Sequence, residues 1–354
     1  MSHESPLRVL VAGLGNMGRS HALAYAAHPG FELAGLVNRS AVELPAALRG
    51  VPMHSDYARA LGSVDADVVS ICTYSDSHAD YAVAALEAGR HVFLEKPIAT
   101  TVADAERVVA AARASGRALV IGYILRHHPS WVRLVAEARA LGGPYVFRLN
   151  LNQQSSGPTW ATHRQLMAST SPIVDCGVHY VDVMCQITDA APVAVSGMGV
   201  RLTDEVAPDT YNYGHFQVRF ADGSVGWYEA GWGPMMSEAA FFVKDVVTPR
   251  GSVSIVVDEA ASRSDDVDLH TRTSVIRVHR AELDADGAFA APDELIDTSD
   301  EPDHLALCAR EQDFLHRAIL EGADLSRHHT DAVRSLAVCL AADESVRRGE
   351  TVRL

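Results

Sequence analysis

The sequence predicts an α/β protein in two parts: a doubly wound parallel sheet first, then an α+β domain built on a large, mostly antiparallel open sheet. Three observations predict this. Short β-rich runs alternate with Ala-rich amphipathic stretches as far as residue 122, the pattern of a parallel sheet covered by helices. Beyond that point strand-like runs follow one another with little helix between them. At 354 residues the chain also exceeds what one hydrophobic core comfortably holds. Domains are therefore expected at 1–122 and 123–354.

In chain order, Leu7–Ala12, Glu32–Val37, Asp67–Cys72, His91–Leu94 and Ala118–Gly122 read as strands. Met17–His28, Ser77–Ala88 and Ala103–Ser115 read as helices, each polar at its start and closed by Gly or Pro nearby. A further helix over Pro129–Leu141 leads through Gly142-Gly143-Pro144 into the second pattern. There, Pro144–Leu151, Val193–Leu202, Asn212–Phe220, Ser224–Gly231, Phe241–Val247, Gly251–Val257 and Thr273–His279 read as strands, with Ala221-Asp222-Gly223-Ser224 as a hairpin turn. One helix, near Val178–Ile187, interrupts them. Ala281–Pro302, rich in Asp and Ala, reads as a solvated loop, and helical periodicity returns over His304–Leu320 and Asp331–Arg347.

The formal charge of −15, with no dense Lys/Arg cluster, argues against sequence-independent binding to nucleic acid. Met1–Pro6 is short and polar, and the apolar run after it is too brief for a signal peptide or a membrane span, so a cytoplasmic location is expected. The five cysteines (Cys72, Cys176, Cys185, Cys308, Cys339) are widely spaced in apolar sequence and form no paired metal motif, which suits reduced core thiols.

Gly13-Leu14-Gly15-Asn16-Met17-Gly18 is a GxGxxG directly after the first strand and at the opening of the first helix. Gly13 permits the tight turn, Gly15 the approach of backbone to a pyrophosphate, and Gly18 close packing of helix on sheet. The helix N-terminus, at Asn16 and Met17, offers N–H groups and partial positive charge to phosphate. This placement predicts a Rossmann domain that binds a dinucleotide.

An acid for the ribose 2′-hydroxyl of NAD is expected at the end of the second strand, and Asn38-Arg39-Ser40 stands there instead. Asn38 removes a charge that would repel a 2′-phosphate, Arg39 can pair with it, and Ser40 can donate to it. The reading favours NADP over NAD, with a solvated loop as the alternative for Arg39.

Glu95-Lys96-Pro97 follows the fourth strand, where ligands bind outside the carboxyl ends of a parallel sheet. Lys96 is a candidate to stabilise a developing alkoxide. In the second part, Asp175, His179 and Asp182 share a face if their stretch is helical. His179 is suited to exchange a proton near neutral pH, and Asp175 to orient it or contact substrate. Taken alone, these could equally be a loop lysine, an N-cap and a satisfied core histidine.

Together, Gly13–Gly18, Glu95-Lys96-Pro97 and Asp175 with His179 resemble the signature set of the Gfo/Idh/MocA oxidoreductases, which include inositol and sugar dehydrogenases. The resemblance extends to His78, to Gly122-Tyr123 with Arg126 and Pro129, and to Asp331–Leu354. It implies hydride transfer between a nicotinamide and a secondary alcohol or ketone of a sugar, cyclitol or related polyol, with Lys96, Asp175 and His179 acting on the hydroxyl. It also implies a homodimer or homotetramer associating through the open face of the antiparallel sheet, and chemistry that needs no metal.

Two departures stand out. Ser171-Pro172 replaces a frequent Gly-Gly, and Thr73-Tyr74-Ser75-Asp76 replaces a frequent Pro-Asn in the loop that would approach the nicotinamide ribose. Tyr123, Arg126, His127 and His128, and further on Asn152, Gln153, Trp160, His163 and Arg164 in the loop preceding the Asp175 helix, are expected to supply polar groups to a polyol pocket. Other readings on the same scaffold are dihydrodiol or imine chemistry, a redox-neutral glycosidase cycle, and a non-catalytic dinucleotide sensor.

Overall fold

The computed structural model describes residues 5–237, 243–256, 273 and 275–354. Phe241, Phe242, Val257 and Ser274, each read above as part of a strand, lie outside the described residues. The chain forms two compact units, one of Met1–Ile124 with Pro302–Val333 and one of Leu125–Glu301 with Arg334–Leu354. The expected division after residue 122 contains no such return of the chain, because contact between distant segments leaves no local signal.

The first unit runs β1 (Leu7–Ala12), α1 (Asn16–Ala27), β2 (Phe31–Val37), β3 (Met53–His54), α2 (Tyr57–Ser63), β4 (Val68–Ile71), α3 (His78–Glu87), β5 (His91–Leu94), α4 (Val102–Ser115) and β6 (Leu119–Ile121). Its sheet is parallel in the order β3-β2-β1-β4-β5-β6, the doubly wound arrangement. Buried Val9, Val11, Leu36 and Phe93 form its core with Leu14, Ala22 and Tyr25. Caps explain where its helices start: Asp56 accepts a hydrogen bond from Arg59 N before α2, and Thr101 from Asp104 N before α4.

The second unit runs α5 (Pro129–Leu141), β7 (Val146–Gln154), α6 (Gly157–Leu166), α7 (Pro172–Thr188), β8 (Pro192–Val200), β9 (Tyr213–Phe220), β10 (Val225–Gly233), β11 (Lys244–Thr248), β12 (Gly251–Val256), β13 (Val275–Arg280) and β14 (Glu294–Asp297). Helix α8 (His304–Glu321) then belongs to the first unit. Helix α9 (Ser326–Arg348) contributes to both, and β15 (Val352–Arg353) ends the second.

The nine-stranded sheet has the order β14-β13-β12-β11-β7-β10-β9-β8-β15 and is antiparallel except between β7 and β10. The expected hairpin joins β9 to β10, with Gly223 at φ +88°. Alternate residues Phe147, Leu149, Phe216, Val218, Tyr228 and Ala230 are buried on the face that packs against α5 and α7.

Two loop readings need correction. Trp160, His163 and Arg164, expected in a loop, lie instead on α6. Its sequence is too polar to show a helical stripe, and Trp160 and His163, three apart, are buried by tertiary packing. Within the expected loop 281–302, β14 adds to the sheet edge and Leu283 bridges Phe289. Pairing with β13 overrides weak local propensity there. All five cysteines are buried and free of disulfides.

Candidate functional site

Gly13 ends β1 at φ +88°, and a Cβ there would lie 2.5 Å from the Cys72 carbonyl oxygen. At Gly18 a Cβ would meet the Gly13 carbonyl oxygen at 1.9 Å. Both positions demand glycine for the fold itself. Gly15 differs, since a Cβ there meets nothing within 4 Å. The protein's own packing does not need this glycine, and the space beside it is open to a ligand. Immediately after it α1 begins at Asn16 and Met17 with no side-chain cap, leaving its first N–H groups and positive dipole end to that space. The arrangement fits a pyrophosphate.

Asn38, at the end of β2, is drawn into the same loop. Its Oδ1 accepts from Leu14 N at 3.0 Å, and its Nδ2 donates to Ser40 O at 2.8 Å. Asn38 therefore braces the glycine loop, while Arg39 and Ser40 are exposed.

The loop after β4 and the turn after β5 are tied together by His78. Its Nδ1 lies 2.7 Å from the Pro97 carbonyl oxygen and its Nε2 3.0 Å from that of Thr73, and the ring is fully buried. Burial is the main influence and lowers its pKa, and the two carbonyls oppose it. Thr73 Oγ1 bonds Ser77 Oγ, and Tyr74 is exposed. Glu95 Oε2 accepts from Lys96 N at 3.1 Å, while Oε1 pairs with His21 Nε2 at 2.8 Å. The Lys96–Pro97 peptide is cis. Tyr123 is fully buried, its ring 6.2 Å from that of His328.

In the second unit the decisive element is α7. Ser171 caps it by accepting from Val174 N, and Pro172 occupies its first turn, where a missing N–H costs nothing. The helix thus starts six residues earlier than the sequence reading places it and includes Asp175, His179 and Asp182. Asp175 lies in the first turn, and His179 follows one turn on, on the same face.

Arg126 forms a bidentate pair with Asp182 (Nε to Oδ2 2.8 Å, Nη2 to Oδ1 2.6 Å), whose carboxylate is fully buried and also accepts from Gln186. That guanidinium is committed to holding α7. His128 Nδ1 lies 3.2 Å from Glu301 Oε2, and His127 is half-buried.

Side chains from three further elements converge on the start of α7. Gln153, near the end of β7, accepts from Trp232 Nε1 at 2.6 Å and from Cys176 Sγ at 3.6 Å. Trp232 is its register partner on β10. His163 of α6 stacks on Trp232 with ring centroids 4.5 Å apart, and its Nδ1 pairs with Ser155 Oγ at 2.9 Å. Burial pushes the His163 pKa down to about 4 against the pull of Asp175. Trp160 Nε1 and Arg164 Nη1 both donate to Glu205, which anchors α6.

Lys244, on β11, is buried with its ammonium 4.5 Å above the Tyr180 ring and Nζ 3.5 Å from Asn150 Oδ1. Burial brings its pKa down to about 7. Neither Trp232 nor Lys244 was singled out by sequence reading. The one available signal is an aromatic between two glycines at a strand end, Gly231-Trp232-Gly233.

A family profile described as "Oxidoreductase family, NAD-binding Rossmann fold" matches residues 7–123, and the "GFO/IDH/MocA C-terminal domain" matches residues 131–243. The chain belongs to the Gfo/Idh/MocA oxidoreductase family. The inositol 2-dehydrogenase of Salmonella typhimurium is 30% identical over 186 residues, covering 50% of this chain and 53% of that protein. The UDP-N-acetylglucosamine 3-dehydrogenase of Acidithiobacillus ferrooxidans is 31% identical over 209 residues, covering 57% and 60%. The matched stretch thus spans little more than half the length of these curated relatives.

The crystal structure of the WlbA dehydrogenase from Bordetella pertussis, in complex with NADH and UDP-GlcNAcA, has a TM-score of 0.76 at 19% identity over 99% of both chains. At that identity the likeness speaks for the fold. Among the described residues, no helix of this family member is long and apolar enough to cross a membrane.

Proposed function

We propose that this chain is an NAD(P)-dependent dehydrogenase or reductase acting on a secondary alcohol or ketone of a sugar, cyclitol or related polyol. The observation that carries the proposal is α7, which sets Asp175 and His179 on one face beside the polar group of Gln153, His163 and Trp232. The names of the matched dehydrogenases support the substrate class.

The dinucleotide, when bound, accepts or supplies the hydride. Gly15 and the start of α1 would hold its phosphates. His179 takes the hydroxyl proton, for which an imidazole near neutral pH is suited. Asp175, one turn before His179 on the same face, orients the base or the substrate hydroxyl. Lys96 fixes the oxygen and stabilises its developing charge. Residues 1–122, joined by the returning segment Pro302–Val333, would form the dinucleotide-binding domain, and the rest of 123–354 the substrate and oligomerisation domain of a cytoplasmic homodimer or homotetramer. The solvent-facing side of the second sheet, where Val146, Met198 and Val225 are exposed, would be its interface.

For the cofactor we infer a preference for NADP, because Asn38 replaces an acid and Arg39 is exposed and free of ion pairs with the described carboxylates. Fluorescence titration with NADPH and NADH tests this. Binding of NADPH about tenfold tighter, about 1.4 kcal/mol, supports it; equal or tighter NADH binding sinks it. Turnover on a panel of sugars and cyclitols that disappears in His179→Ala supports the dehydrogenase. Tight dinucleotide binding with no turnover on any polyol overturns it.

A further inference from the structure

Behind the Glu95-Lys96-Pro97 turn, the first unit holds a group of donor side chains that the proposed chemistry leaves unused. His21 of α1 and Cys308 and Glu311 of α8 bring a ring nitrogen, a sulfur and a carboxylate oxygen within 4.8 Å of one another, and all three residues are buried. Cys308 and Glu311, three apart, lie on one face of α8, which packs against α1.

Gln312, also on α8, places its Nε2 2.8 Å from His21 Nδ1. An amide nitrogen only donates, so Nδ1 is the accepting nitrogen and its lone pair is directed at α8. The ring proton is then on Nε2, which donates to Glu95 Oε1 at 2.8 Å. Neither carboxylate oxygen of Glu311 has a hydrogen-bond partner among the described residues, although the side chain is almost wholly buried. An anion in that position is costly unless a cation compensates it.

We propose that His21, Cys308 and Glu311 form a structural site for a divalent transition-metal cation of zinc's class, with Glu95 as the outer carboxylate that orients the imidazole. Imidazole nitrogen, thiolate and carboxylate together are a donor set suited to tetrahedral zinc. A histidine that binds metal through one nitrogen and donates the other N–H to a carboxylate is the usual second layer of such a site. Ligand bonds of about 2.0–2.3 Å require the donor atoms to draw in to roughly 3.5 Å of one another, within reach of side-chain rotation. The cation takes the place of the Gln312 amide on Nδ1. It ties α1 to α8 and, through Glu95, supports the main chain at Lys96.

The test uses the full-length, tag-free protein, stripped with a chelator and titrated with Co²⁺ and then Zn²⁺. One equivalent of Co²⁺ should produce thiolate-to-metal charge-transfer absorption that Zn²⁺ displaces. The absorption should vanish in Cys308→Ser, and Glu311→Gln should weaken binding at least about a hundredfold. Zn²⁺ should raise the Tm of the wild type by several degrees and leave that of Cys308→Ser unchanged. Dinucleotide binding by both variants verifies that they fold. Binding that survives both substitutions overturns the proposal. So does an absence of cobalt absorption and of any zinc-dependent Tm shift, which would make Glu311 a neutral buried acid.

Discussion

The groups proposed to meet a ligand in the first unit are mostly main-chain ones: the N–H groups at the start of α1 and the open side of Gly15. They lie in one short continuous segment, just after a parallel strand. In the second unit the corresponding groups are side chains collected from β7, α6, α7, β10 and β11. Backbone groups keep their chemistry whatever the neighbouring side chains are, so the first unit's site is robust and tied to local geometry. The second unit's site depends on packing, and there burial lowers the pKa of both His163 and Lys244.

The sharpest way to break this comparison is within the glycine loop. Gly18→Val should prevent the first unit from folding, seen as lost dinucleotide binding and lost cooperative unfolding, because the clash is with backbone. Gly15→Ala should leave stability within about 1 kcal/mol while weakening dinucleotide binding at least about tenfold. If both variants fold equally well, the division between fold glycines and a ligand glycine is wrong.

In the second unit, Asp182→Asn should cost about 3–5 kcal/mol in chemical denaturation, since it strands a largely buried Arg126. His163 comes next. Its pKa of about 4 lies below the unfolded value near 6.5, so the unfolded chain binds more protons between them. Stability should be full above pH 6.5 and fall by on the order of 3 kcal/mol towards pH 4. His163→Gln should flatten that part of the stability profile, and an unchanged slope would remove the assignment.

Lys244 acts in a different window. Its pKa of about 7, against about 10.4 unfolded, makes its burial cost complete below pH 7 and absent above pH 10.4. Lys244→Met should therefore raise stability at neutral pH by about 2 kcal/mol and remove the rise between pH 7 and 10. Loss of turnover without loss of stability would instead make Lys244 part of the chemistry. The smallest expected change is in Trp232→Phe, which keeps the stack on His163 but deletes the bond to Gln153. We expect about 1 kcal/mol of stability and a higher KM with kcat less affected.

Most of the element order could be read in advance because strands and caps leave local marks: the glycine motif after β1, Thr101 before α4, the turn at Gly223. The readings that failed lack such marks. Helix α6 carries too many polar residues to show a stripe, and it holds its shape through Trp232 and Glu205. Arg126 and Asp182 could each be picked out from the sequence, but their bidentate pairing, across 56 positions, could not.

By itself the sequence determined the doubly wound first sheet, the open second sheet, the glycine loop with its helix start, and the spacing of Asp175 and His179. Each of these depends on residues close together in the chain. Tertiary structure alone decided the return of α8 to the first unit, the donors around His21, and the grouping of Gln153, His163 and Trp232. These depend on contacts between distant segments, and the lowered pKa values of His163 and Lys244 depend on a burial that exists only once those segments have packed.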